Sequence, residues 1–443
     1  MTNHIHNFLK ACCSVAWLMF SVILYGQDYT SYIVGDTGDV SATTQPVYAL
    51  MGGASENDSA MVWFLEHTGG GDIVVLKTEG GDDYNNYLFS QLGVTLNSVE
   101  TIVCHSPSAS NDPYIINQLN NAEGVWIAGG NQATFLNYWK DTPVENTLNY
   151  LINEKQIPVG GISAGMAIMG SVVFTRESGD VVSPQALLNP YNANMLFSKD
   201  EFLQNPLLQD VITDTHYNNP DRRGRHVGFL ARIAQDYGIS AYGIACNEYT
   251  AVCIDSDGNA FVFGEFPAYE DYAYFIQVNC LLPNLPEVCT AGQPLTWNRN
   301  QQALLIYKVP GTVEGSYSFR LSDWETGTGG EWENWYVNNG QFYDLADAEP
   351  ESCIGTNISE LPFTSSFLSC FPNPATNMLT IELSEKSATF GTLRLISTNG
   401  QVLKNIVPEQ HQVILDINSL NSGVYFLQYT SASANQIIQF HKQ

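Results

Sequence analysis

The sequence predicts an α/β fold: a mainly parallel sheet flanked by helices, followed by a β-rich extension and a C-terminal β-sandwich. Between Tyr32 and Ala268, short apolar runs alternate with amphipathic segments, a pattern typical of βα units. Several of these runs end at glycine pairs, such as Gly52-Gly53 and Gly129-Gly130. From Ser369 onward, short alternating strands recur at regular spacing, which indicates a small sandwich.

Length and charge limit the classes of function. A chain of 443 residues has room for two or three domains with large cores. Its 45 acidic and 17 basic residues give a formal net charge of -28. Such a chain is repelled by nucleic acid and by anionic membrane surfaces. Nucleic-acid binding is therefore not expected.

The N-terminus has the layout of a secretory signal. Lys10 precedes an apolar stretch from Ala11 to Leu24, and Gly26 follows near a plausible cleavage point. We therefore predict a signal peptide at residues 1–26, with export of the remaining chain. The stretch is short for a membrane anchor, and no later segment is long and apolar enough to be a span.

Seven cysteines lie beyond the signal and form no CxxC pair. A zinc site is therefore not predicted, and neither a metal nor a cofactor is required. Export permits disulfides, and a Cys280–Cys289 bridge is one candidate loop closure. The pairing and the oligomeric state, a dimer included, stay open at this stage.

The elements of the first domain follow in order. Helices are expected over Ala60 to His67, Pro113 to Leu119 and Ala133 to Trp139, and strands over Val47 to Met51, Asp72 to Thr78, Val99 to Cys104 and Val125 to Ala128. Gly243 to Ile254 reads as one strand with Glu248 in its middle, and Asp257-Gly258-Asn259 reads as a hairpin turn. Because glycines follow strand ends, we expect a ligand site at the carboxyl edge of the sheet.

The rest of the chain divides by composition. The predicted organisation is a signal peptide at 1–26, an α/β domain at 27–268, a β-rich extension of the same unit at 269–350, a linker at 351–368 and a sandwich at 369–443. The linker contains Gly355, Pro362 and several serines.

A nucleophile elbow is predicted at Ser163. Ile157 to Val159 is a short apolar run, and Gly161-Ile162-Ser163-Ala164-Gly165 leads from it into a helical segment. The order strand, sharp turn, helix is that of a G-x-S-x-G elbow, whose glycines tolerate the tight backbone. The other reading is a glycine-rich turn whose serine caps a helix.

A serine nucleophile needs a base and an acid that orients the base. His216 follows a predicted strand end and is the preferred base, with His226 as the alternative. Glu248 is the preferred acid because a carboxylate is costly within an apolar strand, with Asp214 as the alternative. A structural histidine and an outward-facing strand glutamate are the competing interpretations.

Two polar groups are candidates for oxyanion or substrate binding. Gly130, Asn131 and Gln132 follow a strand end and are able to aim amide donors at an oxyanion, unless the turn only caps a helix. Arg222, Arg223 and Arg225 are either receptors for a substrate carboxylate or partners of the protein's own acidic residues.

Five segments, taken together and in order, resemble the cyanophycinase and dipeptidase E family of serine peptidases, in particular its secreted branch. They are the Met51-Gly53 turn, the Gly129-Gln132 turn, the Ser163 elbow, the segment from Asp214 to His226 and the Ile244-Ala251 strand. The resemblance implies a domain like that of class I glutaminases, with Ser163 as nucleophile, His216 as base and Glu248 as acid. It also implies an oxyanion site from the amides of Gly130 and Ala164, with Gln132 in the substrate pocket. Cyanophycin or aspartyl peptides are the substrates it implies.

The C-terminal stretch resembles the sorting domain of the type IX secretion system. The matching motifs are Phe371-Pro372-Asn373-Pro374-Ala375, Asn399-Gly400-Gln401, Gly423 to Leu427 and Lys442. The resemblance implies export through that machinery. A carbohydrate-binding sandwich is the alternative.

The sequence thus predicts a secreted serine peptidase that hydrolyses peptide or isopeptide bonds through an acyl-enzyme. Two other functions remain open: an α/β-hydrolase esterase, because the elbow is shared, and a non-catalytic secreted binding protein on the same scaffold.

Overall fold

The computed structural model describes residues 27–280, 282–348, 368–383, 391–397, 402–408, 410–430 and 435–443. They fall into two compact units, within residues 1–353 and 354–443. The predicted signal peptide at 1–26, nearly all of the predicted linker at 351–368 and the Asn399-Gly400 turn lie outside the described residues. Within the described part of the chain, no helix combines the length and apolar character needed to cross a bilayer.

The first unit contains helices and strands in alternation, and its second half is almost entirely β. The helices are α1 Asp58–Glu66, α2 Asp83–Asn86, α3 Pro113–Asn121, α4 Gln132–Trp139, α5 Pro143–Tyr150, α6 Ala164–Ala167, α7 Ser183–Leu188 and α8 Arg223–Tyr237. The strands are β1 Tyr29–Gly35, β2 Tyr48–Met51, β3 Asp72–Lys77, β4 Ser98–Cys104, β5 Gly124–Ile127, β6 Val159–Ile162, β7 Val172–Phe174, β8 Phe197–Lys199, β9 Val211–Asp214, β10 Tyr242–Cys246, β11 Ala251–Ile254, β12 Asn259–Phe263, β13 Tyr272–Val278, β14 Leu304–Pro310, β15 Tyr317–Arg320, β16 Gly327–Thr328, β17 Glu331–Asn338 and β18 Gln341–Leu345.

The strands form two sheets rather than the single sheet that was expected. The first sheet has the order β1-β4-β3-β5-β6-β2-β11-β12-β15-β16, and its β4-β3-β5-β6-β2 section is parallel. The second has the order β18-β17-β14-β13-β10-β9-β7-β8. Strands from residues 272–345 therefore complete both sheets. The predicted α/β class, with a parallel centre and antiparallel margins, is confirmed.

Alternation along the strands separates the cores. Ala49 and Met51 of β2 face α1, whereas Tyr48 and Leu50 face a core shared with α3, α5 and strands of the second sheet. The other face of the second sheet packs on α7 and α8, with Trp335 and Phe229 fully buried there. The first unit is thus a stack in which the two sheets share a central core.

Local sequence signals explain the helix ends. The Asn57 side chain caps α1 by accepting a hydrogen bond from the Ala60 amide, and the Asp112 side chain caps α3 in the same way before Pro113. The long helix α8 ends at Gly238, which has a left-handed φ of 70°.

The second unit is entirely β in its described parts. Leu379, Leu395 and Leu427 are among the residues of its buried core. The strands are β19 Leu368–Phe371, β20 Met378–Leu383, β21 Thr392–Ser397, β22 Val402–Ile406, β23 Gln412–Asp416, β24 Gly423–Thr430 and β25 Asn435–Lys442. They form a three-stranded sheet, β19-β20-β23, and a four-stranded sheet, β22-β21-β24-β25, in agreement with the predicted β-rich C-terminal region.

The expected Cys280–Cys289 bridge is wrong. Cys289 has a free, buried thiol, whereas Cys280 is disulfide-bonded. The partner of Cys280 is therefore not Cys289.

Candidate active site

The turn after β6 places Ser163 at the carboxyl edge of the first sheet. Ser163 has φ 53° and ψ -114°, a strained conformation for a residue with a side chain. Its amide donates to the Met51 carbonyl oxygen of the neighbouring strand at 3.0 Å. α6 begins at the next residue, so the segment has the strand, turn and helix order of a nucleophile elbow.

The elbow glycines are required by close backbone packing. A Cβ atom on Gly165 would lie 2.1 Å from the Ile127 carbonyl oxygen at the end of β5, and one on Gly161 would lie 2.8 Å from it. Any larger residue would push α6 away from the sheet. The glycines of the G-x-S-x-G pattern therefore fix the position of Ser163 relative to β5.

His216 lies two residues beyond the end of β9. Its backbone amide donates to the Gly52 carbonyl oxygen at 2.8 Å. A Cβ atom on Gly53 would lie 2.4 Å from both Cε1 and Nε2 of the imidazole. The Gly52-Gly53 turn after β2 therefore holds the backbone of His216 and leaves space for its ring.

Ser163, His216 and Glu248 form one continuous chain of contacts. His216 Nδ1 lies 2.7 Å from Glu248 Oε1, and His216 Nε2 lies 2.8 Å from Ser163 Oγ. An ionised carboxylate accepts only, so Nδ1 carries the proton and donates to Glu248. Nε2 of the neutral ring then accepts a hydrogen bond from the Ser163 hydroxyl. This is the arrangement of a serine nucleophile, a general base and an orienting acid.

Glu248 is held by two asparagines that sequence reasoning did not single out. Asn218 accepts a hydrogen bond from the Glu248 amide at 3.0 Å, and Asn219 Nδ2 donates to Oε2 at 3.2 Å. Burial raises the pKa of Glu248, but the hydrogen bonds from His216 and Asn219 outweigh burial and lower it overall. Glu248 is therefore ionised when His216 is neutral.

The predicted strand around Glu248 is wrong. The segment is two strands: β10 belongs to the second sheet and β11 to the first, and Glu248 lies in the turn between them. Tyr249 has a left-handed φ of 63°, and the Thr250 amide donates to the Asn247 carbonyl oxygen. Glu248 thus lies where the chain crosses between sheets, which brings it to the edge that holds His216.

The alternative base, His226, is buried in a helix, and the alternative acid, Asp214, is paired with an arginine. His226 lies fully buried in α8 and packs against the Tyr217 ring, and burial lowers its pKa to about 4. The Asp214 carboxylate accepts hydrogen bonds from Arg225 and from the Thr215 amide. No contact between either residue and Ser163 or His216 is present among the described side chains.

The Gly129-Gly130-Asn131-Gln132 turn lies next to the elbow. A Cβ atom on Gly129 would lie 3.7 Å from Ser163 Cβ. The amides of Gly130 and Ala164 donate to no acceptor within the described residues, so they are available to a ligand. Asn131 instead caps α4 through its side chain, which accepts from the Ala133 amide at 2.9 Å.

The predicted arginines are paired with acidic residues of the protein itself. Arg225 is buried and donates through Nε and Nη2 to Asp214 and through Nη1 to Asp180. Arg223 pairs with Asp221 and Asp344. The expectation that Arg223 and Arg225 receive a substrate is not matched by these contacts, because their guanidinium groups already have carboxylate partners.

Two further arginines lie near the site. Arg222 Nη1 donates at 2.9 Å to the carbonyl oxygen of Thr215, the residue before His216. Arg176 follows β7, and its Nη1 lies 3.4 Å from Oε1 of the buried Gln132. Sequence reasoning named Arg222 only as part of a cluster and missed Arg176. The available signal was the scarcity of cations, since only 17 are present in the chain.

A cavity of about 540 Å³ lies near the Gly53 and Glu248 turns, although none of Ser163, His216 and Glu248 lines it. It adjoins the Gly53 turn through Ser55 and the Glu248 turn through Tyr249. Its wall contains carboxylates and no lysine or arginine; the lining residues are Ser55, Glu56, Asn57, Asp58, Ser59, Tyr249, Gly264, Glu265, Tyr269, Asp271 and Val313. A substrate group in this cavity would meet negative and hydroxyl-bearing side chains.

Comparison with known proteins gives two family matches. Residues 83–260 match the model of peptidase family S51, and residues 369–442 match the secretion system C-terminal sorting domain. Ser163, His216 and Glu248 all lie within the first match. The second indicates type IX secretion to the cell surface or beyond.

Individual relatives are more distant. The chain is 26% identical over 147 residues to a cyanophycinase from Trichormus variabilis, covering 33% of this chain and 44% of that protein. It is 23% identical over 181 residues to a cyanophycinase from Synechococcus elongatus, covering 40% of this chain and 49% of that protein. The chain thus spans less than half the length of these relatives.

Among solved structures, a peptidase from an acI-B1 Actinobacterium overlaps 63% of this chain and 98% of its own, with 12% identity and a TM-score of 0.41. An overlap of that quality carries no weight for fold or function. The chain thus combines a match to peptidase family S51 at residues 83–260 with a match to the secretion system C-terminal sorting domain at residues 369–442.

Proposed function

We propose that this chain is a secreted serine peptidase that hydrolyses peptide or isopeptide bonds through Ser163, His216 and Glu248. The observation that carries the proposal is the unbroken chain of contacts from Glu248 through His216 to Ser163, at the tip of a strained elbow. The match of the same residues to peptidase family S51 supports it.

The geometry suggests how each group acts. His216 Nε2 accepts the proton of the Ser163 hydroxyl as Oγ attacks the carbonyl carbon, and Glu248 stabilises the imidazolium that forms. The amides of Gly130 and Ala164 donate to the oxyanion of the tetrahedral intermediate. His216 then protonates the leaving amine, and water activated by His216 releases the acyl-enzyme.

The substrate class follows from the family resemblance and from the charges near the site. Cyanophycin is a polyaspartate that carries arginine side groups, and aspartyl peptides share its aspartate backbone. The acidic cavity near the Glu248 turn, which the triad residues do not line, suits a cationic side group, and Gln132 with the neighbouring Arg176 suits a carboxylate. We therefore propose cyanophycin or aspartyl peptides as the first substrates to test.

The proposed organisation has one catalytic unit and one export unit. Residues 27–268 and 269–350 would act together, because strands from the second range complete the sheets of the first. Residues 369–443 would engage the type IX secretion machinery, in line with the sorting-domain match.

The test compares Ser163→Ala with the unaltered chain on cyanophycin, aspartyl dipeptides and ordinary peptides, with products identified by mass spectrometry. We expect hydrolysis to be abolished while the circular dichroism spectrum and melting temperature are retained. Turnover that persists in Ser163→Ala would rule out the proposed nucleophile.

A further inference from the structure

Arg176 lies at the same edge of the second sheet as His216. β7 runs parallel to β9 in the second sheet, so the ends that lead to Arg176 and to His216 point the same way. Arg176 has a left-handed φ of 56°, which is uncommon for a residue with a side chain. Its guanidinium lies against Gln132, which follows the glycine turn beside Ser163.

The guanidinium of Arg176 is incompletely paired. Nη1 is 3.4 Å from Gln132 Oε1 and Nη2 is 3.3 Å from Asp180 Oδ2, both longer than the usual charge-assisted hydrogen bond. Nε is buried and donates to no acceptor within the described residues. The side chain is 32% exposed. Arginine offers five donors in a planar fork that matches a carboxylate, so unused capacity remains.

The local ion pairs leave Arg176 the least engaged of three neighbouring guanidinium groups. Three guanidinium groups, those of Arg176, Arg222 and Arg225, share two carboxylates, those of Asp180 and Asp214. Arg225 is buried and holds both carboxylates, and Arg222 donates to a backbone carbonyl oxygen. Arg176 is therefore the member of this cluster with both exposure and free donors.

We propose that Arg176 is a specificity-determining residue that binds a carboxylate of the substrate beside Ser163, with Gln132 orienting its guanidinium. This inference rests on the proposed peptidase function. The bound carboxylate belongs either to an acidic side chain or to a free chain terminus, because both present the same planar pair of oxygens.

Three peptides that share one parent sequence distinguish a side-chain carboxylate from a terminal carboxylate. The first has aspartate next to the cleaved bond and blocked ends, the second has asparagine and blocked ends, and the third has asparagine and a free carboxyl terminus. We expect the unaltered chain to prefer a carboxylate-bearing peptide over the blocked asparagine peptide by about 10- to 100-fold in kcat/KM, as for hydrogen bonds to charged groups. Preference for the first identifies a side-chain carboxylate, and preference for the third identifies a terminal one.

The variant Arg176→Gln keeps hydrogen-bonding capacity and removes the charge. We expect its preference ratio to fall to about one through a higher KM for the preferred peptide, and Arg176→Lys to restore part of the ratio. Arg320→Gln, on an exposed position of β15, is the matched control and should keep the original ratio. Labelling of Ser163 by a fluorophosphonate verifies that the elbow of each variant is folded.

The outcomes separate the two proposals. If the unaltered chain cleaves peptides and labels at Ser163 but does not distinguish the three peptides, or if Arg176→Gln keeps the original ratio, the role of Arg176 is refuted and the peptidase function stands. If no peptide is cleaved and Ser163 is not labelled, both proposals fail.

Discussion

Replacing Glu248 with glutamine removes one charge and preserves nearly the whole shape of the triad. Glutamine retains an oxygen that is able to accept from His216 Nδ1, so the ring orientation is kept while the negative charge is lost. The reaction places a positive charge on His216 when Ser163 attacks. The variant therefore isolates the electrostatic contribution of Glu248.

The expected magnitude follows from the 2.7 Å contact. Two unit charges at that distance attract by about 6 kcal/mol at an effective dielectric constant of about 20, and by about 1.5 kcal/mol in bulk water. Because the Glu248 side chain is 18% exposed, the interaction lies between these values. At about 1.4 kcal/mol per tenfold change in rate, we expect kcat/KM to fall by about 10²- to 10³-fold.

The assay is steady-state hydrolysis of the best peptide found in the substrate panel. Glu201→Gln is the matched control, because Glu201 is also an ion-paired glutamate but pairs with Lys140 and lies outside the site. The control should keep the original kcat/KM. A loss smaller than about threefold in Glu248→Gln, which is below 1 kcal/mol, would refute the assigned role of Glu248.

Three further predictions concern the supports of the site. Gly53→Ala should lower kcat/KM by at least about 100-fold, since its Cβ would meet the His216 ring at 2.4 Å; wild-type rates would contradict the packing. Arg225→Met should lower the free energy of unfolding by about 3 kcal/mol, measured in urea, because buried Asp214 keeps only the longer 3.9 Å ion pair with Arg222; an unchanged midpoint would contradict this. The pKa of His226 is lowered from 6.5 to about 4 in the folded chain, so between these pH values the unfolded chain binds one more proton than the folded chain. The free energy of unfolding should therefore decrease by about 3 kcal/mol through His226 as pH falls from about 6.5 to 4. Urea titrations at both pH values should show a smaller loss in His226→Leu, and equal losses would contradict the assignment.

The α/β class was predictable because strand ends in this chain coincide with glycine turns. The elbow at Ser163 and the turn at Gly53 have sequence patterns that reflect local backbone requirements, namely a positive φ and close approach of neighbouring strands. Such requirements act within a few residues, so a single sequence displays them. Their catalytic roles stay predictions until activity is measured.

The division into two sheets was not predictable in the same way. The run from Gly243 to Ile254 is apolar on both sides of Glu248, and hydrophobic pattern does not show which strand a segment pairs with. β10 pairs with β9 and β13, whereas β11 pairs with β2 and β12. The choice of Glu248 as acid rested on an unpaired carboxylate within a strand, and the structure gives a different reason, a turn between sheets.

Arg176 was not identified from the sequence because its neighbours in space come from distant parts of the chain. Its contact with Gln132 joins residues 44 positions apart, and its charge cluster includes Arg222 and Arg225 from a third segment. No spacing rule links these positions. The arginines that form a visible cluster in the sequence pair with the protein's own carboxylates, and Arg222 also donates to a backbone carbonyl oxygen.

The central claim is that His216 activates Ser163 as the nucleophile, and trapping the serine tests it most directly. The full chain is incubated with a fluorophosphonate, digested and examined by tandem mass spectrometry, beside Ser163→Ala and His216→Ala variants of verified melting temperature. We expect one adduct, on Ser163, absent from Ser163→Ala and formed at least about 100-fold more slowly in His216→Ala. An adduct on another residue, or labelling of Ser163 at an unchanged rate without His216, would contradict it.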